Sequence, residues 1–164
     1  MKLALKPFTE KDIPQFYEWM KSESEEMLTF IDGVTFGRPI TIEGITNYHN
    51  NAISKKWLSF KFLVDGEIIG HIELIRLDLV AQTSAIGYVY IRRDRRGVGF
   101  GKKMLELLLL HAKIKIGLKY LDLLVGENNN PAQHFYKKCG FGYSGKTLEK
   151  GGTNMLVMYI KFKY

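Results

Sequence analysis

The stretch RRDRRGVGFGKKMLELLLLHA, residues 92–112, sets four arginines and three alternating glycines directly before a leucine-rich run. Upstream, TSAIGYVYI reads as a strand, ending at Ile91 or Arg92. Downstream, Met104, Leu105, Leu108, Leu109, Ala112 and Ile116 recur at helical spacing, with Lys103, Glu106 and Lys113 on the opposite face and Gly117 as a C-terminal stop. A glycine-rich turn between a strand and a helix start lets successive N–H groups converge on one point at the positive end of the helix. That is an anion site, to which Arg96, Lys102 and Lys103 add full charges. The plainer alternative is a tight turn flanked by solvated arginines. Two familiar phosphate loops fail on spacing. A dinucleotide fingerprint needs its third glycine at position 102, which is lysine. A Walker loop needs one more residue between Gly97 and the Gly101-Lys102 pair, and a hydroxyl where Lys103 stands.

Working outward, KLALKPF alternates as a first strand, and Thr9 with Asp12 opens a helix through DIPQFYEWMK with Pro14 in its first turn. SESEEMLTFIDGVTFGRP reads as irregular and acidic, and TIEGITNYHNNAI as a second helix. WLSFKFLVDGEIIGHIELIRL is a hairpin about Asp65-Gly66, a pair suited to a type I′ turn, and TSAIGYVYI continues the meander. KYLDLLV is a buried strand. In NNPAQHFYKKCGF, Asn130 is the expected N-cap, Pro131 the first helical residue, positions 132, 135, 136 and 139 the apolar face, and Gly140 the end. Two strands about Gly151-Gly152 close the chain. The expected class is α/β, a mixed, mostly antiparallel sheet flanked by helices, in the order β-α-α-β-β-β-α-β-α-β-β.

The 164 residues are 46% hydrophobic and 25% charged, with neither repeats nor low-complexity runs, which fits one globular domain over residues 1–164. The first apolar stretch is too short for a signal peptide and LELLLLHA is far below a bilayer span, so the expectation is a cytoplasmic protein without membrane contact. The net charge of +7 is uneven: residues 1–55 hold 6 Lys/Arg against 8 Asp/Glu, and the remainder 18 against 9. An anionic ligand for the later part and a cationic one near the earlier part follow, with Glu23, Glu25, Glu26 and Asp32 as acids available to the latter. The single cysteine, Cys139, reads as a small packed residue. His49, His111 and His134 have no partners at metal-ligand spacing, so no metal is expected.

Arg96-Gly97-Val98-Gly99-Phe100-Gly101 matches the R/Q-x-x-G-x-G/A loop of the GNAT N-acetyltransferase superfamily. Asn129 to Phe141 resembles that family's N-x-x-A-x-x-F/L-Y-x-x-x-G-F segment. HIELIRLD and FTEKDI are similar to the branch holding ribosomal-protein and small-molecule acetyltransferases. The resemblance implies acetyl-CoA as co-substrate and direct attack of a primary amine within a ternary complex. The acceptor would be a small molecule or a peptide N-terminus, and a homodimer is compatible. It further implies a strand over 88–91 that splays from its neighbour and presents backbone groups of Val89, Tyr90 and Ile91 to the pantetheine arm. The Ile91 N–H would be the oxyanion donor, Arg96 to Lys102 would form the pyrophosphate loop, Asn129 would be a cofactor contact or a turn residue, and Tyr136 would be the general acid, or else a core tyrosine.

The general base is less determined. His71 and Glu73 share one face of a strand with Ile69 and Ile75; Glu73 is the candidate base, against a solvated or edge face for both. Two rivals remain: an acyl-CoA-binding sensor without turnover, and a nucleic-acid module on residues 92–103, which the compactness of that loop and its few aromatics disfavour.

Overall fold

The computed structural model describes residues 1–32 and 35–164, with the side chains of residues 31 and 32 also outside the description, so the candidate acid Asp32 is not placed. The chain opens with β1 (Leu3–Pro7) and a 3-10 turn (Glu10–Asp12), followed by α1 (Ile13–Lys21), α2 (Glu25–Asp32) and α3 (Ile42–Ser54). The meander β2 (Leu58–Val64), β3 (Glu67–Asp78) and β4 (Thr83–Ile91) leads through a 3-10 turn (Arg93–Arg95) into α4 (Phe100–Leu110) and a π-helical turn (His111–Ile116). β5 (Tyr120–Gly126), α5 (Asn130–Lys138), β6 (Gly142–Lys150) and β7 (Thr153–Lys161) complete it.

The seven strands lie in the order β1-β2-β3-β4-β5-β7-β6. All neighbours are antiparallel except β4 and β5. Each face of the sheet carries a core. Met104, Leu105, Leu108 and Ala112 of the α4 region pack with Ile72, Leu74, Leu121 and Leu123 on one side, and α5 adds Ala132, Phe135, Tyr136 and Cys139. On the other side Ile13, Phe16, Met20, Leu28, Phe36 and Ile45 gather around Tyr90. The expected turn at Asp65-Gly66 has both residues at positive φ, 50° and 89°, as type I′ requires.

Three expectations change. Residues 25–32 are helical rather than irregular, adding one helix to the expected order. Ser24 caps that helix, accepting from the Met27 N–H at 3.2 Å, and Glu25 and Glu26 suit its positive end. The signal is weak because, among the described side chains of the helix, only Leu28 is a buried core residue. The N-cap of α5 is Asn129, whose side chain accepts from Ala132, so Asn130 is the first helical residue and Pro131 the second. Ile69 does not share a face with His71 and Glu73. A bulge opposite Phe62–Leu63 turns it into the core beneath α4, since one extra residue inverts the alternation.

Candidate active site

The parallel pairing of β4 with β5 ends at Ala85–Asp122, although β4 runs on to Ile91 and β5 to Gly126. A bulge in β4 coincides with the divergence. Between His71–Tyr90 and Glu73–Gly87, β3 advances two residues while β4 advances three, and Tyr88 takes a left-handed φ of 45°. Gly87 and Tyr88 therefore both face the α1–α3 side, whereas Val89 and Ile91 turn to the α4 side. Beyond the bulge the Arg92 N–H donates to the Ile69 carbonyl at 2.8 Å, so by the ladder's alternation the Ile91 amide points away from β3, into the gap. β3 and β4 draw close here because residue 70 is glycine: a Cβ on it would lie 2.8 Å from the Tyr90 carbonyl oxygen.

At the mouth of the gap, Gly97 and Gly99 have φ of 79° and 88°, with open space where a Cβ would stand. Gly99 is the N-cap of α4, whose first turn contains no acidic residue, and the amides there have no intrahelical acceptor. This is an anion cradle of backbone donors, and a pyrophosphate fits it. Gly101, by contrast, is helical, and a Cβ on it would make ordinary contact with Phe135 at 3.6 Å. Val98 is exposed, and Phe100 tucks its ring under α4. Lys102 is exposed, its amine 3.8 Å from Glu106.

The Arg96 side chain is engaged within the protein. Its Nε donates to the Ile91 carbonyl at 2.7 Å, and its two terminal nitrogens bind the two oxygens of Glu23 at 3.3 and 2.5 Å. Glu23 is thereby withdrawn from the acids available to a cationic acceptor. Among the others, Glu25 pairs with Arg38 at 3.3 Å and Glu26 is exposed.

His71 and Glu73 are buried, at 4% and 1% exposure, not on a solvated face. The helices α1 and α3 cover them, a packing that strand alternation alone does not reveal. The Glu73 carboxylate accepts from the Tyr48 hydroxyl at 2.6 Å, from Ser59 at 3.0 Å and from His71 Nε2 at 2.9 Å. Because a carboxylate only accepts, Nε2 carries the imidazole proton, and Nδ1, beside the rings of Phe8 and Phe16, is buried without a partner among the described residues. Burial, reinforced by the Glu73 charge, raises the Tyr48 phenol far above its ordinary value, so it remains a donor. Glu73 lies opposite Gly87, next to the bulge. Sequence reasoning missed Tyr48 and Ser59, which lie 25 and 14 residues from Glu73 and carry no local signal.

Tyr136 packs edge-on against Phe135 and Phe141, and its hydroxyl has no hydrogen-bond partner among the described residues. Burial pushes its phenol above the ordinary value, so it is protonated at neutral pH. Asn129 uses its side-chain oxygen on the Ala132 N–H at 3.3 Å, which makes it a turn and capping residue. Gln133, also unanticipated, donates to the carbonyls of Gly126 and Glu127 and accepts from Tyr143, clamping the β5–α5 turn.

A strand that parts from its neighbour at a bulge, beside a glycine cradle at a helix start, is the arrangement that the resemblance implied. The family model described as "Acetyltransferase (GNAT) family" matches residues 11–141. The chain belongs to that family. Its fold is the GNAT fold, and the chain spans about 60% of the length of the first curated relative it matches. Over 148 residues it is 23% identical to the mouse alpha/beta-tubulin-N-acetyltransferase 9, a match covering 85% of this chain and 61% of that protein. It is 28% identical over 97 residues to the spermidine N(1)-acetyltransferase of Vibrio cholerae, covering 59% of this chain and 56% of that one. The crystal structure of the Vibrio cholerae spermidine N-acetyltransferase in complex with CoA and spermine shares the fold, with a TM-score of 0.80, 20% identity, and coverage of 97% of this chain and 95% of that one. No helix among the described residues is long and apolar enough to cross a membrane.

Proposed function

We propose that residues 1–164 form one acetyltransferase domain that moves the acetyl group of acetyl-CoA directly to the primary amine of a small aliphatic polyamine within a ternary complex. The observation that carries this reading is the β4–β5 gap, with the Ile91 amide directed into it and the Gly97–Gly99 cradle at its mouth. Bound acetyl-CoA supplies the thioester and, on departure, a thiolate. In this reading the backbone of Val89, Tyr90 and Ile91 holds the pantetheine arm, and the Ile91 N–H polarises the thioester carbonyl. The amides from Gly97 to Lys102 bind the pyrophosphate, Val98 and Phe100 through the backbone alone, while Asn129 shapes the β5–α5 turn.

Tyr136 is the proposed general acid. Its hydroxyl is protonated and uncommitted to any described protein group, as a donor awaiting a thiolate would be. Glu73 is the proposed final acceptor of the amine's proton, reached through a hydroxyl hydrogen-bonded to it, because all three of its donors are internal. A cationic acceptor is supported by the acidic balance of residues 1–55 and by the polyamine acceptors named for the relatives.

The test is release of free thiol from acetyl-CoA with spermidine, spermine, an aminoglycoside and peptides bearing free N-termini. Turnover with the polyamines above the peptides supports the reading. Turnover with peptides alone would move the acceptor to a protein N-terminus. CoA binding without thiol release from any acceptor would favour the sensor. An assignment to the cytoplasm and a homodimer are compatible with this reading.

A further inference from the structure

Glu23 stands at the corner between α1 and α2, within the acceptor-side flap, yet its side chain is only 3% exposed. A carboxylate so far from water must be matched, and three donors match it: the Tyr90 hydroxyl at 2.8 Å and both terminal nitrogens of Arg96. The Arg96 guanidinium also lies over the Tyr90 ring, 5.1 Å from its centroid, and its Nε holds the Ile91 carbonyl. Burial and the Glu23 charge raise the Tyr90 phenol well above its usual range, so its proton stays on the donor side. The corner itself is fixed by the Glu23 N–H bonded to the Met20 carbonyl at 3.1 Å and by Ser24 capping α2.

We propose that Glu23 is a positioning residue of the cofactor loop, acting through Arg96: it aims the guanidinium that ties the first residue of the loop to the end of β4, so that the flap and the CoA cradle are held as one unit. The inference rests on the functional reading above and adds a residue to it. Arg96 has five N–H groups, and the three committed to Glu23 and Ile91 make its side chain a tie between the flap corner and the end of β4. Without Glu23 the guanidinium loses its fixed partner, Arg96 no longer pins the strand end, and Gly97 and Gly99, free of side-chain restraint, sample other conformations.

The experiment is a double-mutant cycle on CoA affinity by titration calorimetry, using Glu23→Gln, Arg96→Gln and the double variant. Glu23→Gln is isosteric and keeps an acceptor for Tyr90, so it preserves the fold. It should weaken CoA about 10-fold and raise the KM for acetyl-CoA with kcat little changed. The double variant should bind CoA no more weakly than Arg96→Gln alone, because Glu23 acts only through Arg96. Ser24→Ala removes the α2 cap at the same corner without touching the Glu23–Arg96 pair, and should change CoA affinity by no more than about twofold even where it lowers the melting temperature. That contrast separates positioning from general destabilisation.

Unchanged or tighter CoA binding by Glu23→Gln overturns the inference, as do multiplicative effects in the double variant or a Ser24→Ala loss equal to that of Glu23→Gln. A wild-type protein that binds no CoA would overturn the functional reading and this inference together.

Discussion

Alanine at position 99 tests whether the cradle works through backbone conformation or through side-chain volume. Gly99 has φ 88°, and nothing lies within 4 Å of where its Cβ would be, so a methyl meets no obstacle. The penalty is conformational alone. For an L-residue in the left-handed region it is about 1–2 kcal/mol, which the loop can avoid by relaxing when no anion is present. Binding must then restore the strained conformer, and the dissociation constant for CoA should rise by roughly 5- to 30-fold. The melting temperature should fall by no more than a few degrees, since a domain of this size loses about 2–4 °C per kcal/mol and the relaxed loop loses less. Gly101→Ala is the control. Residue 101 is helical, a Cβ there makes ordinary contact with Phe135 at 3.6 Å, and alanine favours a helix over glycine by up to about 1 kcal/mol. CoA affinity should stay within about threefold and stability should hold or rise. Calorimetric titration with CoA and a thermal melt of each variant decide the matter. Wild-type affinity in Gly99→Ala would refute the conformational argument. An equal loss in Gly101→Ala would show that steric access governs instead.

Three further outcomes are expected. Tyr136→Phe deletes a hydroxyl that bonds no described protein group, so the melting temperature should be unchanged while kcat falls by about 10²-fold or more with CoA affinity intact; wild-type turnover would return Tyr136 to the core. Tyr48→Phe removes a 2.6 Å bond to a buried carboxylate, a loss of about 1.5–3 kcal/mol read from a urea midpoint, whereas a surface tyrosine would lose almost nothing. Burial lowers the His111 pKa below 6.5, with the Lys115 charge adding to the effect. Because the folded value is depressed, the stability contribution is complete above about pH 6.5 and is lost as pH falls through the folded value. Melts between pH 7.5 and 5 should decline less in His111→Gln than in the parent, and parallel curves would exclude His111 as a source.

Local chemistry written in adjacent residues is readable in the sequence itself. The glycine spacing from 97 to 101 announced the cradle, the Asp65-Gly66 pair the hairpin, and the 132/135/136/139 stripe the face of α5, because turn preference and helical period act over a few residues. The family segments marked Tyr136 on that stripe as the candidate general acid. Partners distant in the chain were not readable. Glu23 and Arg96 are 73 residues apart, and Tyr48 and Glu73 are 25 apart. Strand alternation put His71 and Glu73 on one face but could not say that α1 and α3 cover it. Nor could it show that a bulge diverts Ile69, because an inserted residue depends on the pairing of two strands. Arg96 looked like a phosphate ligand while only its neighbours in sequence were in view. Its guanidinium binds a carboxylate on the far side of β4, because a buried Glu23 at the flap corner demands a charged partner and only the assembled fold brings the two within reach.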